Sequence, residues 1–322
     1  MRFTWPNATA AIAPLLLIAC SSDSSPSPAP QHGDGGFVAW RAFVGSHGSF
    51  GQTFDGLSWT TREIAPSDLY AVTCVGNLFG WATGAHGFVA HTIDGGTTWV
   101  QQVSGSSANL RAIRFGTRTL GLLGGDAGVL EATTDGGVTW RPVATGTERT
   151  VRGVAVSTTG FMLAVGDGGF AMRTTDSGAT WSPAVVPGSA DLLAATVDPG
   201  AHIALVADSA GRVWSTVDEG ASFTLETTAS AAVRSVSITD DGSRALAVGN
   251  AGVVLARSET GAWAAVDVGT SSTLYATLIL DADTTEYVAG ESGTILQSID
   301  HGLHWAPVPV ATTATIYGME DL

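Results

Sequence analysis

The sequence predicts an all-β fold, a seven-bladed β-propeller of four-stranded antiparallel blades, and three observations predict it. A turn signature, Thr/Ser-x-Asp-x-Gly-x-x-Trp, recurs in seven copies whose terminal aromatics stand at positions 59, 99, 140, 181, 223, 263 and 305 of the 322 residues. The step never leaves 40 to 42 residues, the period of a propeller blade. Each period holds four short apolar or alternating runs separated by Gly, Asp, Asn or Ser, as a four-stranded antiparallel sheet requires. Finally, 41 glycines with only 13% charged residues describe a turn-dense β chain, and no long amphipathic helix pattern appears beyond the leader.

Taken from the N-terminus, residues 1–19 read as a lipoprotein signal peptide. Arg2 is a minimal positive region, residues 8–19 are apolar, and Leu17-Ile-Ala-Cys20 has the spacing of a bacterial lipobox. Cleavage before Cys20 would place diacylglycerol on that thiol. The apolar run of 12 residues is too short to span a bilayer. Residues 20–36 are then the lipidated Cys20 and a Ser/Pro/Gly tether, in which proline favours extension and glycine looseness. Residues 37–322 are the propeller, long enough for seven blades and no further domain.

Within the propeller, the strongest boxes run from Thr92 to Trp99, Thr133 to Trp140 and Thr174 to Trp181. Weaker copies run from Thr53 to Trp59, Thr216 to Phe223, Ser258 to Trp263 and Ser298 to Trp305. In six of the seven an aspartate, Asp55, Asp94, Asp135, Asp176, Asp218 or Asp300, is placed to accept bonds from backbone N–H groups of its own turn. The glycine permits positive φ, and the tryptophan anchors neighbouring blades. The third period illustrates the strands: 110–115, 119–124, 129–133 and 139–143. The first blade has only three strands before its aromatic, whereas residues 316–322 form a first-strand pattern with no blade of their own. The C-terminal segment is therefore expected to complete the first blade and close the ring.

Composition excludes several chemistries. The net charge of −15 argues against a nucleic-acid surface. All 14 basic residues are arginine, so a Walker-type phosphate loop, a Schiff-base lysine and a Ser-Lys dyad are absent. Gly-x-Ser-x-Gly, His-Glu-x-x-His and Cys-x-x-Cys are absent as well. With Cys20 taken by lipid, Cys74 has no disulfide partner and reads as a buried small thiol. The acidic segment 281–286 reads as a solvated turn rather than a calcium loop, since it lacks the central Gly and late Glu. His47 and His86 hold matching turn positions with His91 nearby; solvated turn histidines are the expectation, and no metal or cofactor is expected.

Stacking the repeats yields candidate binding residues. The second residue of each first strand is Tyr317, Tyr70, Arg111, Arg152, Leu193, Arg234 and Tyr275 in ring order. First strands are innermost, so these side chains should circle one mouth of the central channel. The next position is always Ala, Gly or Ser, as crowding at the axis demands. The turns between second and third strands, with Asp126, Asp167, Asn250 and Glu291, should open on the same face. Arg111 and Arg152 each stand 15 residues before an aspartate, so each could pair within its own blade. They could also present an Arg/Tyr ring to a ligand or extended peptide, since both residue types are favoured interface anchors.

The boxes, the preceding Gly-x-x-Gly turns at 125–128 and 166–169, and first strands reading Leu110-Arg-Ala-Ile or Val151-Arg-Gly-Val resemble the photosystem II stability and assembly factor family over essentially all of 37–322. The resemblance implies a seven-bladed propeller and a non-enzymatic chaperone that binds a newly made reaction-centre subunit through a patch of arginines. Arg111, Arg152 and Arg234 match its first-strand arginines; Tyr70, Leu193, Tyr275 and Tyr317 depart. Relatives of this type also occur in bacteria that do not photosynthesise.

The expected function is thus a lipid-anchored binding or assembly platform of the bacterial cell envelope, on its periplasmic face or the cell surface. It would act as a monomer, held to the membrane through the lipid on Cys20, and engage a protein or peptide partner through Arg111, Arg152, Arg234, Tyr70, Tyr275 and Tyr317. The competing expectation is an Asp-box glycoside hydrolase, sialidase- or xyloglucanase-like, or a carbohydrate-binding surface protein. A sialidase would need an Arg-Ile-Pro start that the chain lacks. A two-carboxylate hydrolase would have to draw on Asp126, Asp167 and Glu291.

Overall fold

A computed structural model describes residues 41–56, 58–280 and 284–321. The leader, Cys20, the tether and part of the acidic segment at 281–283 lie outside them, as does the start of the propeller before Arg41. Seven four-stranded antiparallel sheets surround a channel, each successive first strand packed on the next. The sheet of the first blade has the order Ile316–Asp321, Arg41–Gly45, Ser49–Thr53, Thr60–Glu63. The C-terminal strand is therefore its innermost member, as the repeat count requires, and Phe43 pairs with Met319 across the seam.

Apolar faces hold the ring together. At the seam, Phe43, Ile316 and Met319 pack against Leu278, Tyr287 and Ile295 of the seventh blade. On its other side the first blade sets Ala42, Val44 and Phe50 against Leu69, Val72 and Ala82 of the second. Equivalent clusters fill the remaining junctions, such as Leu122, Leu130 and Ala132 against Val151, Val154 and Met162. No sheet could hide both faces alone; wedging each between neighbours removes them from water.

The two ends of every blade differ. At one end the turn after the second strand is bonded to the segment entering the first strand, as in Ala85 N–H to Asp68 O at 2.9 Å and Asp126 N–H to Asn109 O at 2.9 Å. This is the mouth face. At the other end lie the Asp boxes, bonded to the loop between first and second strands, as in Gly95 N–H to Leu78 O at 3.1 Å. In the third blade Asp135 Oδ1 accepts the Thr139 N–H at 2.9 Å and the Thr133 hydroxyl at 2.8 Å, and Thr133 Oγ1 accepts the Gly137 N–H at 3.0 Å. The Thr139 hydroxyl bond, then the Thr139 amide and Thr133 hydroxyl, hold the Asp135 carboxyl at about 2. Thr133→Val would strand the buried Gly137 N–H, and a loss of about 1–3 kcal/mol in urea denaturation is expected.

The outermost strand of the third blade, Arg141–Pro142, is shorter than the 139–143 that the hydrophobic pattern predicts, and those of the fourth and seventh blades are as short, Ser182–Pro183 and Ala306–Pro307. Each contains a proline, which an edge strand tolerates, and the residue after it still bonds to the third strand, as in Val143 N–H to Leu130 O at 2.8 Å.

One buried carboxyl has no evident role in this architecture. Glu131 is 5% exposed, its Oε2 has no hydrogen-bond partner, and burial pushes its carboxyl up to about 7. Because the folded value lies above the unfolded one, its protonated form favours folding. Its contribution is intact below pH ~4.3 and declines as pH rises to about 7. Glu131→Gln is expected to raise Tm at pH 8, by an equivalent of roughly 2–3 kcal/mol at most, and to leave it unchanged at pH 4; thermal melts at both values check this.

Candidate functional site

The mouth ring is built by a repeated backbone irregularity. In the second blade Leu69 pairs with Gly84 and Ala71 with Thr83, leaving Tyr70 as the extra residue of a β-bulge. The same slip leaves Arg111, Arg152, Leu193, Arg234 and Tyr275 unpaired in the following blades, and Tyr317 in the first. A bulge re-aims the side chain of its extra residue. Seven bulges at one level therefore supply one side chain per blade to the lining of the channel, a cavity of about 540 Å³. The small residues beside them are small for a reason: a Cβ on Gly153 would lie 2.9 Å from Ala195 N, and one on Gly318 would lie 3.2 Å from Ala71 Cα.

The polar ring is one connected arc. Arg234 Cζ lies 5.8 Å from the Tyr275 ring centre, Tyr275 meets Tyr317 edge-on at 5.4 Å, and Tyr317 meets Tyr70 at 5.8 Å. Arg111 Cζ stands over Tyr70 at 4.5 Å. Five successive blades thus join an aromatic platform to a guanidinium at each end. Burial, then Asp68, pushes the Tyr317 phenol up, so it stays neutral as a donor.

The arginines differ in how their charge is met. Arg111 makes a two-pronged pair with Asp126, both contacts at 2.9 Å, and Arg152 makes the same fork with Asp167. The pairing within each blade that the 15-residue spacing allows is therefore present. Arg234 has only the Asn250 amide, with Nε donating to Oδ1 at 2.8 Å. Among the described residues it forms no ion pair, and its terminal nitrogens keep their donors. Leu193 interrupts the ring in the fifth blade, where Asp208 is buried and holds Arg212 Nε at 2.7 Å and Trp214 Nε1 at 3.2 Å.

The carboxylates needed for hydrolysis are engaged in structural bonds. The Arg111 hydrogen bonds hold the Asp126 carboxyl below the usual range, opposite to what a general acid requires. Glu291 Oε2 accepts the Thr273 N–H at 3.0 Å. The box aspartates lie on the other face. His47 and His86 occupy left-handed turn positions, both at φ 58°, while His91 stacks on Trp81 at 4.7 Å.

Deeper in the channel is an ion pair that spacing alone does not reveal. Arg114 of the third blade reaches past the second blade to Glu320 on the closing strand. It depends on the ring being closed, so no local pattern announces it. Cys74 lies beside it, its thiol pushed well up by burial and then by Glu320 and Asp321.

A family model described as photosynthesis system II assembly factor YCF48 matches residues 101–256. The resemblance to the assembly-factor family holds. The matched stretch contains Arg111, Arg152 and Arg234 and omits Tyr70, Tyr275 and Tyr317. Among solved structures, one titled YCF48 bound to D1 peptide shares 21% identity and a TM-score of 0.62, covering 80% of this chain and 87% of that one. YCF48 from Cyanidioschyzon merolae shares 17% identity and a TM-score of 0.61, covering 86% and 90%. At these identities both establish the common fold. No curated protein sequence matches the chain.

Proposed function

We propose that the chain is a non-enzymatic binding platform that captures a segment of a protein partner at the channel mouth. The arc running from Arg234 through Tyr275, Tyr317 and Tyr70 to Arg111 carries this reading. It joins flat apolar faces to donors, the combination on which peptide side chains and a carboxylate are held. The family match over the arginines supports it, as does the peptide bound by the YCF48 structure. The lipobox at Cys20 supports a platform held at a membrane of the cell envelope, facing the periplasm or the exterior, and the partner is accordingly a protein or peptide of that envelope.

The test is a crosslinking pull-down from native envelope with the wild-type chain and the triple variant Arg111→Ala, Arg152→Ala, Arg234→Ala. The wild type should recover a discrete partner that the triple variant does not. Equal recovery by both would remove the mouth from consideration. Turnover of aryl-glycosides or polysaccharides that disappears in Asp126→Asn or Asp167→Asn would instead favour the hydrolase.

A further inference from the structure

The face opposite the mouth carries apolar side chains that the ring has no use for. Of the ten large apolar residues exposed among the described residues, six lie there: Leu78, Ile93, Val138, Val217, Ile299 and Leu303. The others stand on or beside outermost strands. Five of the six are at the tips of Asp-box turns, from 60% exposed at Ile93 to 78% at Val138. Ile93, Val217 and Ile299 each precede the box aspartate, and Val138 and Leu303 each follow it by three places. Single exposed aliphatics are ordinary. These five instead recur at two positions of the box turns, held by the aspartate bonds and all on one face.

The chain also enters on this face. Arg41 begins the strand that runs from the box end to the mouth turn at Ser46–Gly48, and it pairs with Thr53, the first residue of a box. Twenty residues, 21–40, separate Cys20 from Arg41. At ~3.5 Å each they could span ~70 Å, enough for either face to meet a bilayer, so an anchor alone would not choose between them.

We propose that the box face docks on a lipid surface, its aliphatic tips entering the headgroup layer, so that the Arg/Tyr mouth points away from the membrane. Resting on the anchor reading, it needs only weak contacts, because a tethered surface is present at high effective concentration. Asp94, Asp135, Asp176, Asp218 and Asp300 share the face, so the headgroups are zwitterionic.

For the test, residues 21–322 carrying Cys74→Ser and an N-terminal histidine tag are held on phosphatidylcholine vesicles by a nickel-chelating lipid, which makes the result independent of lipidation. A fluorophore is placed at Thr175→Cys on a box tip or at Ser292→Cys on a mouth turn, with a headgroup-borne quencher in the membrane. The box label should be quenched about threefold or more over the mouth label. Changing Ile93, Val138, Val217, Ile299 and Leu303 together to Ser should abolish the difference without altering Tm. Equal quenching of the two labels in the parent chain, stronger quenching at the mouth, or a preference that survives the five changes would overturn the assignment. So would asymmetry confined to vesicles of phosphatidylglycerol. Mass spectrometry of the chain from native membrane reports separately on Cys20, so an unlipidated chain with asymmetric quenching sinks the anchor and not the face.

Discussion

Arg234→Ala alone is expected to weaken capture of a carboxylate-bearing peptide at the mouth by ~10- to 150-fold, the equivalent of about 1.5–3 kcal/mol for charge-assisted hydrogen bonds. Arg111 and Arg152 already spend two donors each on Asp126 and Asp167, whereas Arg234 spends one on a neutral amide. Removing Arg111 should therefore cost less than removing Arg234. Asp126→Asn should strengthen capture several-fold, because it frees the Arg111 charge without removing it. Titration of a fluorescent peptide from the recovered partner ranks the three variants; an order with Arg111→Ala worst would show that the paired arginines carry the binding. Tm should shift little in any of them, since half-exposed ion pairs of this kind contribute ~0–1 kcal/mol.

The largest effect on stability is expected from deleting residues 316–322. The deletion removes Ile316, fully buried, and Met319, 5% exposed, each contributing about 1.5–3 kcal/mol through burial. It also leaves the inner edge of Arg41–Gly45 unpaired and takes away Glu320, stranding Arg114. Summed, these losses approach the whole stability of an ordinary domain, ~5–15 kcal/mol. The truncated chain should lose its cooperative thermal transition, and a synthetic peptide of residues 314–322 added in excess should restore part of it. An unchanged melt would mean that the seam is not what holds the ring shut.

The parts of this molecule that were legible in its sequence are those written once per blade. The Trp spacing sets the blade count, and the orphan first-strand pattern at Ile316 discloses the seam. Aligning second positions brings Tyr70, Tyr275, Tyr317 and the three arginines to one mouth. What stayed hidden depends on geometry between repeats. The bulge that aims Tyr70 inward leaves only a faint trace, a small residue after it and Gly84 opposite Leu69. The outer strand of the third blade narrows to Arg141–Pro142 where the hydrophobic pattern runs from 139 to 143, although Val143 N–H still bonds to Leu130 O. The unequal state of Arg111 and Arg234 follows from Asp126 against Asn250, a difference visible in the sequence whose weight appears only once the side chains meet. Arg114 and Glu320 are 206 residues apart, and nothing but the completed circle brings them together.

Placing the innermost strand of the opening sheet at the far end of the polypeptide also dictates an order of events. While the ribosome is still elongating, Arg41–Gly45 has no partner on its axial side, and six later sheets can stack without locking. The final lock waits for Ile316–Asp321, so the ring can close only after the strands of all seven sheets have been made.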